Sequence, residues 1–122
     1  MYKNVASVVL PMERRQEVSV LAVGELDEWE RQGRSTPSFG NMVFVAFHEV
    51  TGGLLDQLQP STVVSPALAK GFDCVDLALL LNRLDFRGVY RVLAADLPKP
   101  GLIETEIGQL CPRLQFEIDA PD

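Results

Sequence analysis

Positive charge is scarce in this chain, and the residues of ordinary catalysis are scarcer. Eleven lysines and arginines stand against 17 aspartates and glutamates, for a formal net charge of -6. That balance repels a phosphate backbone and leaves no cationic patch for DNA or RNA, so no nucleic-acid partner is expected. A solvated acidic surface accounts for the same charge. There is one histidine, and the two cysteines, Cys74 and Cys111, form no CxxC pair and have no histidine company of the kind a zinc site needs. They are read as isolated thiols, with no metal and no cofactor. GxGxxG and the P-loop are both missing, which disfavours a bound nucleotide or flavin. No apolar run approaches the roughly 20 residues of a membrane span, since even Val75 to Leu81 is broken by Asp76. The opening MYKNVASVVLPMERR holds only the short run Val5 to Leu10, with no cleavage site after it. The expectation is a cytoplasmic protein without a secretory signal.

What is present is the material of one core. At 122 residues and 47% hydrophobic content, the chain supports a single domain. From Val18 onward, β-branched runs alternate with helical patterns: Val18 to Val23, Met42 to Phe47, Thr62 to Ser65, Val89 to Ala94 and Leu114 to Ile118. Near-continuous apolar character predicts parallel strands buried on both sides. Helices are predicted between them, over Glu25 to Gln32, Thr51 to Leu58, Cys74 to Leu84 and Gly101 to Cys111. The order βαβαβαβαβ and right-handed crossovers then give an α/β, three-layer domain with helices on both faces of one sheet. That domain spans residues 18–122, and residues 1–17 form an extension able to add a further strand.

The helix at Cys74 carries the clearest start signal, with Asp73 as its cap and Asp76 as the capping-box partner. At 100° per residue, Cys74, Leu77, Leu80, Leu81 and Leu84 share one face, leaving Val75 and Leu79 on the other. Those two are either scattered surface hydrophobes or a contact with another chain. The last helix carries Ile103, Ile107 and Leu110 on one face, and Pro112 helps to stop it. Leu54, Leu55 and Leu58 form a short buried stripe, Trp29 anchors the first helix, and Gly33 to Asn41 is the longest loop.

The stretch LQPSTVVSPALAKGFDCVDLALLLNRLDFRGVYRVLAAD, Leu58 to Asp96, together with the element spacing from Val18 to Ile118, resembles the receiver domain of two-component response regulators. The resemblance implies a flavodoxin-like, mainly parallel five-stranded sheet of order 2-1-3-4-5. It also implies two acidic residues after the first strand, an aspartate ending the third, a hydroxyl residue ending the fourth and a lysine ending the fifth. Here those places hold Gly24 and Glu25, then Ser65 and Pro66, then Ala94, with no lysine after Ile118. The phosphoacceptor is therefore missing, and only Glu25 is carried over. Lys99 and Pro100 look like the family's Lys-Pro pair but precede the wrong strand. No final helix is expected, because only Asp119 to Asp122 follow the last strand.

In open parallel sheets ligands settle outside the carboxyl ends of the strands. That crevice would gather Gly24, Glu25, Ser65, Pro66, Ala67 and Asp96. Cys74 sits at a helix N-terminus, a position that lowers thiol pKa, but adjacent Asp73 opposes this and the residue is read as structural. His48 beside Glu49 is a feeble catalytic signal, since neighbours in an extended segment point apart. No catalytic residue is assigned. The sequence points to a non-enzymatic regulatory or scaffolding module that works through protein contacts and is not phosphorylated. The alternative is a small-molecule binder or small enzyme using the strand-end crevice. A homodimer is expected, with Val75 and Leu79 as its candidate interface.

Overall fold

A computed structural model describes residues 19–25, 42–94 and 99–119. Five strands form the main sheet: β1 (Val20–Val23), β2 (Met42–Val45), β3 (Thr62–Pro66), β6 (Val89–Leu93) and β7 (Gln115–Asp119). A two-stranded hairpin, β4 (Leu68–Ala69) and β5 (Phe72–Asp73), stands between β3 and β6. The helices are α1 (Gly52–Leu58), α2 (Cys74–Arg83) and α3 (Pro100–Leu110). The sheet runs β2-β1-β3-β6-β7, every pair parallel. Counting only main-sheet strands, this is the expected 2-1-3-4-5, and the unforeseen hairpin accounts for the shifted labels. The VASVVL segment, the helix predicted after Glu25 with its Trp29, the Gly33 to Asn41 loop and Asp96 lie outside the described residues.

Side chains alternate across the sheet, so each strand feeds two different faces. Leu21, Val23, Val63, Tyr90 and Val92 point to the first face and are fully buried beneath α1, α2 and α3 with Leu55, Leu77, Leu81 and Ile107. Val20, Ala22, Val64 and Leu93 form a smaller buried cluster on the second, joined by Met42. The second face changes character along the sheet. Arg91 of β6 stands level with Glu117 of β7, and their side chains meet at 3.1 Å in a solvent-exposed pair. Gln115 and Asp119, on the same side of β7, are exposed as well. β7 was grouped with the strands expected to be buried on both sides, yet exposed Gln115, Glu117 and Asp119 alternate with half-buried Phe116 and Ile118. This end of the second face therefore meets water without needing a cover.

Helix boundaries follow their caps. Thr51 accepts from the Leu54 backbone N–H at 3.1 Å, and Asp73 and Asp76 complete the reciprocal capping box foreseen at α2. α2 ends in a Schellman turn: the Phe86 N–H donates to the Leu81 carbonyl and the Asp85 N–H to that of Asn82, with Asp85 left-handed at φ 62°. Three expectations change. β2 stops at Val45 because the Ala46 N–H turns to the Glu49 carboxylate, opening a 3-10 turn over Phe47–Glu49. Leu110 is 46% exposed, because the buried stripe of α3 runs through Ile103, Ile107 and Cys111 and leaves Leu110 at its margin. Val75, expected to face outward, is half-buried and packs against the main core, whereas Leu79 is 42% exposed.

Candidate functional site

The carboxyl ends of the strands are closed by backbone hydrogen bonds that continue the ladders. Gly24 donates to Val45, Ala67 to Leu93 and Ala94 to Asp119, at 2.9 to 3.1 Å. The β4-β5 hairpin then folds over this end of the sheet. Its Lys70-Gly71 turn needs Gly71 at φ 83°, the second central position of a type II turn. Phe72 stacks on Phe47 with ring centroids 4.8 Å apart and planes 9° from parallel. Phe72 follows β3 and Phe47 follows β2, so the stack bridges the end of β1, which lies between them.

Beneath the bridge is a cavity of about 210 Å³ lined by Gly24, Glu25 and His48 together with Lys70, Gly71 and the two stacked phenylalanines. Of the residues expected to form the crevice, Gly24 and Glu25 reach it. Ser65, Pro66 and Ala67 are buried and do not line it, and Asp96 lies outside the described residues. Lys70 and the two phenylalanines went unrecognised in the sequence, and His48, set aside there as a feeble catalytic signal, lines the cavity with them. Only the Lys-Gly turn signal within LAKGFD pointed to a hairpin. Among the described residues no three His, Cys, Asp or Glu side chains come together as a metal ligand set.

Where a receiver's acceptor would stand, β3 ends in Ser65 and Pro66. Ser65 is fully buried, and its hydroxyl donates to the Pro66 carbonyl at 2.9 Å. With that proton committed, the 2.6 Å contact is the Tyr90 hydroxyl donating to Ser65 Oγ. Burial raises the Tyr90 pKa well above its ordinary value, the Ser65 hydrogen bond opposing only in part, so the phenol stays protonated. Cys74 is also buried. Desolvation and then the Asp73 carboxylate push its thiol up to about 11, which deprives it of thiolate at neutral pH. Cys111 is raised by burial too, and both are free thiols. They stand at opposite ends of their helices, Cys74 beginning α2 and Cys111 following α3.

The fold is that of a response-regulator receiver. A solved structure of the response regulator ChrA, from a heme-sensing two-component system, aligns with a TM-score of 0.50 and 20% identity over 87% of this chain. The chain spans 51% of the length of that protein, and the likeness is one of fold. No family model matches the chain, and no curated protein does. No helix among the described residues is long and apolar enough to cross a membrane.

Proposed function

We propose that this chain is a receiver-fold regulatory or scaffolding module that acts through protein contacts and accepts no phosphoryl group. The observation that carries the reading is the end of β3. A receiver's chemistry requires an accessible carboxylate nucleophile there, with magnesium and cationic or hydroxyl groups around it. Pro66 has no nucleophile, and the Ser65 hydroxyl is buried and bound on both sides. The free thiols suit a reducing compartment, so the module is assigned to the cytoplasm. Its domain is taken as residues 18–122, with residues 1–17 as an extension. Incubation with acetyl phosphate and magnesium is expected to leave the mass of the protein unchanged. A stable, magnesium-dependent acyl phosphate overturns the reading.

The cavity under the Phe47-Phe72 bridge favours a second reading, a small-molecule binder. A ligand held there would raise the melting temperature by mass action. A thermal-shift screen of nucleotides, flavins, amino acids and divalent metals separates the readings. A saturable shift lost in Phe72→Ala selects the binder.

A further inference from the structure

The outward face of α2 lies along a groove of about 560 Å³ whose opposite wall holds Phe47 and Val50. The helix contributes Asp76, Leu79, Leu80 and Arg83. On a helix these four fall within a sector of about 100°. They are ordered along the axis as acid, two leucines, base. Leu79 is exposed and Leu80 half-buried, and Arg83 makes no ion pair with a described residue. Asp76 uses Oδ2 to close the capping box on the Asp73 N–H.

The midpoint of Asp76 and Arg83 coincides with that of Leu79 and Leu80. A two-fold axis through that point lays a second α2 antiparallel on the first, so Asp76 of each chain meets Arg83 of the other. The same rotation keeps each flank of the stripe on its own side, so Leu79 of each chain meets Leu79 of the other and Leu80 meets Leu80. A surface that complements itself under a two-fold rotation is what an isologous contact requires. We infer that the partner of this face is a second copy of the chain, docked antiparallel through α2 and fixed in register by two Asp76-Arg83 pairs. Val75, on the flank of the stripe, lies at the rim of that contact. The inference rests on the protein-contact reading and names its partner.

The experiment is light scattering of the full chain over a dilution series, on the native protein, on Arg83→Glu, on Asp76→Lys and on an equal mixture of the two variants. The native protein is expected to dimerise. Each variant faces like charges twice across the axis, and its dissociation constant should rise by about a hundredfold. In the mixture, the introduced lysine of one chain meets the introduced glutamate of the other, while native Asp76 and Arg83 meet as before. The mixture is therefore expected to dimerise where neither variant does, a result that misfolding cannot imitate. If losing the capping box unfolds Asp76→Lys, Leu79→Lys replaces it and is expected to abolish the dimer alongside Arg83→Glu. A native protein monomeric at every concentration, a mixture no better than its components, or a dimer indifferent to Arg83→Glu and Leu79→Lys overturns the inference. None of these outcomes produces an acyl phosphate, so failure here leaves the module reading standing, and an acyl phosphate leaves the dimer standing.

Discussion

Ser65 and Tyr90 are unequal partners although they share one hydrogen bond. Tyr90→Phe removes the donor, and Ser65 keeps its bond to the Pro66 carbonyl, so the loss should be near 1 kcal/mol. Ser65→Ala instead strands a fully buried phenol and should cost about 1–3 kcal/mol. Urea unfolding of the two variants and their double checks the order, with the double expected well short of the sum. The buried acids Cys74, Tyr90 and Cys111, all raised by burial, also make the fold sensitive to base. Cys74 titrates from the usual 9.0 in the unfolded chain to about 11 when folded, so the unfolded state loses its proton first. Stability is therefore whole below pH 9 and falls as pH rises through 11, with Tyr90 acting in the same direction. Urea midpoints measured across that range should decline, and Cys74→Ala should flatten the decline. Gly88 is constrained by close approach: a Cβ there would collide with the Ser61 carbonyl, which accepts the Val89 N–H. Gly88→Ala should cost about 1–3 kcal/mol, because backbone cannot step aside as a side chain can.

The elements were legible wherever a local signal and the tertiary environment agreed. The capping pair Asp73 and Asp76 marked the start of α2 because both partners lie within one turn. The hairpin was not legible, since each of its strands is two residues long and the Phe47-Phe72 stack joins segments far apart in sequence. The same separation hid the cavity, whose walls come from three stretches of chain. The Schellman turn after α2 offers a direct check of a backbone argument. Asp85 holds a left-handed φ of 62° that glycine adopts without a Cβ clash. Its pairing with Arg87 at 2.9 Å is largely exposed and contributes little. Asp85→Gly is expected to raise stability by about 0.5 kcal/mol in thermal and urea unfolding, a gain that a stabilising Asp85-Arg87 pair would reverse.

At the scale of the whole molecule, the sheet order could be read because β-branched runs alternate with helical patterns at receiver spacing, and the order needs no knowledge of any site. The character of β7 was equally visible in QFEID, where the period of two announces a strand wet on one side. It was read with the other strands because its run begins at Leu114 and carries Phe116 and Ile118 at strand spacing. The wet strand also governs how molecules meet at high concentration. Among the described residues β7 pairs only with β6 and is the border strand of the described sheet, the kind of margin along which chains join into fibrils. Glu117 and Asp119 stand along it, and a second molecule aligning its own β7 there would bring carboxylate against carboxylate. Replacing both with valine should make the protein gather into thioflavin-positive aggregates. The residues that let one face of the sheet stay open to water thus also keep the border from acting as a template.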